Sequence, residues 1–143
     1  MKTVIFGANG QTGRLATAIA LQSGQHVVAV TRRPREFPLS GPGLTVAEAD
    51  VRDASAVAPL VAGADAVIST LGVTFTREPV DTYSAGTANI VAGMRQARTR
   101  RLIVVSSTAA YHSTKGNPAA QGTPLHTSHF ATCPHASRFR RNK

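Results

Sequence analysis

A chain of 143 residues is the size of one domain. Its 42% hydrophobic content is enough for a core, but with no Trp and 5% aromatics that core must be built of Ala, Val, Ile and Leu. One cysteine, Cys133, excludes an internal disulfide framework; no apolar run approaches the ~20 residues of a membrane helix and no signal-like leader follows Met1, so the sequence predicts a soluble, cytoplasmic protein.

The net charge of +9 invites a nucleic-acid reading, and its distribution argues against one. Residues 1–111 carry 11 Lys/Arg against 7 Asp/Glu, a net of +4. Residues 112–143 carry 5 Lys/Arg and no acid, so more than half of the excess sits in the C-terminal stretch.

Five short aliphatic runs mark the chain from Lys2 to about Ser106. They are Thr3–Phe6, Val27–Val30, Leu44–Val46, Ala66–Ile68 and Leu102–Val105. Each is nearly continuous in apolar character, as strands buried on both faces of a parallel sheet are. Between the first two, Leu15, Ala18, Ile19 and Gln22 fall at helical spacing over Gln11–Ser23, and Gly24 supplies a stop. Asp53 is placed to cap a short helix ending near Val61, before Gly63. Ile90, Val91, Met94 and Ala97 form a stripe on a helix over about 82–98. The order β-α-β-loop-β-α-β-α-β predicts an α/β fold: a Rossmann-like, doubly wound parallel sheet of about five strands with helices on both faces.

After Tyr111 the character changes. Residues 112–143 hold one large aliphatic residue, Leu125, three prolines and four of the five histidines. Such a composition buries little apolar surface and predicts a basic, disordered tail on a 1–111 domain.

The most informative residues are Gly7-Ala8-Asn9-Gly10-Gln11-Thr12-Gly13, which join the first strand to the first helix. In a dinucleotide site Gly7 permits the tight turn, Gly10 lets backbone approach a pyrophosphate, and Gly13 allows helix to pack closely on strand. The helix N-terminus then presents free N–H groups and partial positive charge to phosphate. A P-loop is set aside, because the Gly7-to-Gly13 spacing is one residue too long and Arg14 stands where its Lys belongs. The second strand ends Thr31-Arg32-Arg33, with two guanidinium groups and no carboxylate. A planar fork suits a ribose 2′-phosphate, so the expected cofactor is NADP(H) in preference to NAD(H).

The glycine motif, the Thr31-Arg32-Arg33 turn, Asp50-Val51, Ser69-Thr70-Leu71-Gly72 and Val105-Ser106-Ser107 occur in order. Together they resemble the atypical short-chain dehydrogenase/reductase group, in particular NAD(P)H-binding proteins of the NmrA-like and flavin/biliverdin-reductase-like type. The resemblance covers roughly residues 1–111, as if truncated after the fifth strand. It implies cofactor contacts from Gly7, Asn9, Gly10, Gln11, Thr12 and Gly13. It further implies adenine contacts from Asp50 and Val51, ribose and nicotinamide contacts from Thr70, Leu71 and Gly72, and a nicotinamide neighbour in Ser106 with Ser107. The bland alternatives are a turn or cap for Asp50 and a strand end for the serine pair.

Ser107 and Tyr111 are the candidate catalytic residues. Tyr111 opens a Tyr-x-x-x-Lys match ending at Lys115, in which the lysine would lower the phenol pKa for proton exchange with substrate oxygen. Catalytic members place about a dozen residues between Ser and Tyr, whereas Ser107 precedes Tyr111 by four, and Gly116 and Pro118 interrupt the following helix. A Ser-Ser-x-x-x-Tyr run without that chemistry, as in NmrA-like members, fits better.

Arg95, Arg98, Arg100 and Arg101 gather at a predicted helix end, where cations complement the helix dipole, and no aromatics interleave with them. His126, His129, Cys133 and His135 lie in the tail without preorganised ligand geometry, so no metal is expected. Two functions follow. One is an oxidoreductase passing hydride from NADPH to a small-molecule substrate or redox partner such as a flavin, quinone or carbonyl compound. The other is a non-catalytic NADP redox sensor. A basic nucleic-acid module ranks third, and no membrane partner is expected.

Overall fold

The computed structural model describes residues 1–73 and 81–105. Its elements are β1 (Lys2–Phe6), α1 (Gln11–Gln22), β2 (His26–Thr31), a 3-10 turn (Pro34–Glu36), β3 (Leu44–Glu48), α2 (Ala54–Val61), β4 (Ala66–Ser69), α3 (Thr82–Gln96) and β5 (Leu102–Val104). The five strands form one parallel sheet in the order β3-β2-β1-β4-β5. The expected element order and sheet are both present.

Alternation along β1 divides the core in two. Val4 and Phe6 point to one face, where Val57 and Val61 of α2 and Ile90 and Met94 of α3 cover them. Ile5 points to the other, with Val27 and Ala29 of β2 and Ala20 of α1. The reversal of strand order falls between β1 and β4, so the carboxyl ends of those strands open a crevice where open α/β sheets bind ligands.

Helix α1 is present over the expected residues but turned from the expected face. Leu15 and Ile19 are 66% and 62% exposed, and the buried positions are Gly13, Thr17 and Ala20. The cause is contact distance: α1 approaches the glycine turn so closely that only its small-residue face fits. The edge strands also depart from burial on both faces. β3 is largely exposed, and Ile103 and Val104 of β5 are about half exposed. Between β2 and β3 the crossover holds only the 3-10 turn, and Phe37 fills in against the α1 side of the sheet.

Helix ends follow local chemistry. Asp53 caps α2 as expected, its Oδ1 accepting from the Ser55 and Ala56 amides at 2.9 and 3.3 Å. A hydrogen bond from the Ser55 hydroxyl, then those two amide bonds, hold its carboxyl below the ordinary range. Helix α1 ends with Gly24 at φ +71, the Gly24 and Gln25 amides reaching back to the carbonyls of Leu21 and Ala20. Helix α3 ends in the same two-bond pattern, Arg98 to Arg95 and Thr99 to Met94, but the left-handed residue is Arg98 at φ 57. The expected arginine cluster stands at this helix end, with Arg95 in the last turn; the Arg98 conformation is one that favours glycine. Among the described residues no helix is long and apolar enough to cross a membrane. The C-terminal stretch 112–143 lies outside the described residues. Replacing Arg98 by Gly is expected to raise stability by about 0.5–1 kcal/mol, read as a higher urea midpoint at unchanged slope.

Candidate functional site

The crevice is built around the turn from β1 into α1. Gly7 has φ +74, and a Cβ there would stand 2.7 Å from the Thr70 carbonyl oxygen. A Cβ on Gly13 would collide with the Gly7 carbonyl oxygen and stand 2.7 Å from the Ala8 Cα. The fold itself therefore requires both glycines. Gly10 differs. Its backbone is extended at φ −72, ψ 164, and its nearest added-Cβ neighbour is the Gly7 carbonyl oxygen at 3.4 Å. Among the described residues, a side chain there would meet nothing closer.

Gly10 is also the N-cap of α1, and among the described residues no side chain caps this end. The first intrahelical bond runs from the Arg14 amide to the Gly10 carbonyl. The amides of Gln11, Thr12 and Gly13 precede it and lack an intrahelical acceptor. Gly10's own amide is occupied, donating to the Gly7 carbonyl at 3.0 Å, and Ala8's donates to Val30. The Asn9 side chain is also engaged, accepting from Arg14 Nη2 and Nε at 2.8 and 3.1 Å. Three aligned donors with the positive end of a twelve-residue helix behind them suit a diphosphate.

Thr70 fixes this turn from below. Its amide donates to the Phe6 carbonyl, and its hydroxyl lies 2.9 and 3.2 Å from the carbonyl oxygens of Phe6 and Gly7. Thr70 is thus buried and turned toward protein, where it positions the glycine turn. Leu71 packs against the α2–α3 core, and Gly72 is exposed, with nothing among the described residues within 4 Å of an added side chain.

A second wall comes from the β3–α2 connection. Val51 is buried, while the Asp50 carboxylate accepts from the Arg52 amide at 2.9 Å and from its guanidinium at 2.8 and 3.2 Å. The guanidinium bonds first, then the Arg52 amide, with smaller help from the charges of Arg52 and Arg32, hold the Asp50 carboxyl down at about 2. Asp50 is therefore a fixed anion at the turn. Sequence reasoning missed its supports. Asn89 of α3 donates to the carbonyls of Val51 and Arg52 at 3.0 and 2.8 Å, clamping the turn across 38 and 37 residues. Gly86 lets α3 approach this wall, since a Cβ there would stand 2.7 Å from Val51 Cγ1 and 3.1 Å from Leu71 Cδ1.

Beyond β2, Arg32, Arg33, Pro34, Arg35, Glu36 and Glu48 line an open concavity of about 370 Å³. Arg33 Nη1 pairs with Glu36 Oε2 at 3.0 Å; Arg32 makes no ion pair among the described residues. No group of three or more His, Cys, Asp or Glu side chains able to hold a metal occurs among the described residues. The structure thus brings together the glycine turn, the Arg32–Arg33 turn, Asp50–Val51 and Thr70–Gly72 at one sheet edge. Ser106, Ser107 and Tyr111 lie outside the described residues.

Fold and crevice define a dinucleotide-binding domain of the doubly wound class. A family model described as NAD(P)H-binding matches residues 7–133, and the chain belongs to that family. That match runs past residue 111. An uncharacterized protein of Mycobacterium tuberculosis, Rv2047c, is 35% identical over 108 residues, which is 75% of this chain and 12% of that protein. Uronate dehydrogenase from Agrobacterium tumefaciens superposes with a TM-score of 0.63 at 24% identity, over 74% of this chain and 40% of that one. A variant of that enzyme is known in complex with NAD. The oxidoreductase ylbE from Lactococcus lactis gives a TM-score of 0.67 at 20% identity, over 80% of this chain and 52% of that one. This chain therefore spans about an eighth of the mycobacterial relative and two-fifths to half of these enzymes.

The two kinds of glycine are separable. Gly13→Ala is expected to cost about 1–3 kcal/mol of stability by overpacking. Gly10→Ala should cost under about 1 kcal/mol, as a poorer N-cap, yet weaken binding of a nicotinamide dinucleotide roughly tenfold, about the loss of one good hydrogen bond. Thermal unfolding with and without nucleotide reads both effects.

Proposed function

We propose that this chain binds NADP(H) and serves an oxidoreductase that reduces a small acceptor. The observation that carries the nucleotide assignment is the uncapped start of α1 beside Gly10, a glycine for which the fold has no steric need. The amides of Gln11, Thr12 and Gly13 would hold the diphosphate. Asp50, fixed by Arg52, and the backbone of Val51 would border the adenine. Preference for the 2′-phosphorylated form rests on Arg32 and Arg33 beyond β2, where an NAD site would carry a carboxylate.

When bound, a nicotinamide cofactor supplies the hydride chemistry. The chain's own residues bind and orient it. Thr70 holds the glycine turn from beneath, and Leu71 and Gly72 continue along the crevice where the redox end would extend. Acceptor chemistry is proposed from the class of enzyme alone: a flavin, a quinone or a carbonyl compound. The oxidoreductase similarity of the solved neighbours supports this reading at the level of fold.

Titration followed by cofactor fluorescence tests the assignment. NADPH is expected to bind more tightly than NADH. Replacing both Arg32 and Arg33 by Ala should weaken NADPH roughly tenfold or more, the value of a charged hydrogen bond, and change NADH by about twofold or less. Equal losses for both nucleotides would remove the 2′-phosphate assignment.

A further inference from the structure

The basic turn beyond β2 is not purely basic. The concavity there is lined by three arginines and two glutamates, Glu36 and Glu48. The Pro34–Glu36 turn brings Glu36 back beneath Arg33, with the Glu36 amide donating to the Arg33 carbonyl. At the side-chain level Arg33 Nη1 and Glu36 Oε2 meet at 3.0 Å. The Arg33 amide is held in turn by the Thr31 hydroxyl at 3.2 Å, so its backbone is fixed while its guanidinium is shared. Arg32 has no such partner among the described residues, and Glu48 lies at the end of β3 opposite Thr31.

We infer that Glu36 is a specificity-determining residue: its carboxylate holds the Arg33 guanidinium back from a ribose 2′-phosphate and keeps the preference for NADP(H) over NAD(H) modest. This rests on the NADP(H) reading above and adds to it a counterweight within the same turn. A phosphate approaching Arg33 has to displace the carboxylate or share the fork with it. Both groups are exposed, at 69% and 56%, so the pair is a weak latch that a doubly charged phosphate opens at small cost. Arg32, unlatched, takes the phosphate first. Glu36 acts on the 2′ position alone, since the diphosphate would be held at the start of α1, off the end of the neighbouring strand β1.

The test uses the full chain and direct binding of NADPH and NADH, read by fluorescence and by calorimetry. Glu36→Gln keeps the shape of the side chain and removes its charge. It is expected to tighten NADPH roughly two- to fivefold, the scale of an exposed ion pair, and to leave NADH unchanged. In an Arg33→Ala background the same substitution should give no gain. A gain that persists without Arg33, an equal gain for NADH, or no gain at all would each overturn the role of Glu36. Failure of the unsubstituted chain to bind either nucleotide is a different result and would overturn the dinucleotide assignment itself.

Discussion

The carbonyl oxygen of Gly7 occupies the space that a side chain on residue 13 would need. That single close approach fixes much of what surrounds it. Helix α1 has to present Gly13, Thr17 and Ala20 to the sheet, because a bulkier face would push it away. Its first turn then stands directly over the carboxyl end of β1, with three amides pointing into the crevice. Thr70 completes the arrangement by tying the turn to β4 through the carbonyls of Phe6 and Gly7. A contact between backbones, which no hydrophobic burial could replace, therefore sets where the proposed diphosphate site lies.

The three glycines of the turn do different work. Gly7 supplies a left-handed backbone and a narrow gap, and Gly13 supplies the helix contact. Gly10 does neither, and as an N-cap it leaves the helix end uncapped where Ser, Asp or Asn would have closed it. A helix start without its own cap is less stable by itself and available to a ligand. Stability forgone at this one position is the feature that separates a nucleotide crevice from an ordinary strand–helix turn.

Most of the sheet was legible in the sequence because Thr3–Phe6, Val27–Val30 and Ala66–Ile68 are short, continuous and β-branched, and central parallel strands need little else. The facing of α1 was not legible from hydrophobicity, since Leu15 and Ile19 look like a core stripe and stand in solvent. The spacing of Gly13, Thr17 and Ala20 carried the answer, but small residues signal a buried face only once close approach is known. The same holds for Gly86 and Gly93 of α3, seven residues apart, where added side chains would strike Val51 and Val61. Asn89 had no local signal, because its partners at Val51 and Arg52 are reached only through the tertiary fold. The Arg33–Glu36 pairing has a local signal, opposite charges three residues apart, that only the Pro34–Glu36 turn makes into a contact.

In the proposed complex the amides opening α1 receive the diphosphate, and this contact carries the nucleotide assignment. It is tested most directly by titrating NADPH into isotopically labelled protein and following the backbone amide resonances. The largest shifts should fall on Gln11, Thr12 and Gly13, with a second group at Arg32 and Arg33. Shifts confined elsewhere on the sheet, or none at millimolar nucleotide, would contradict it.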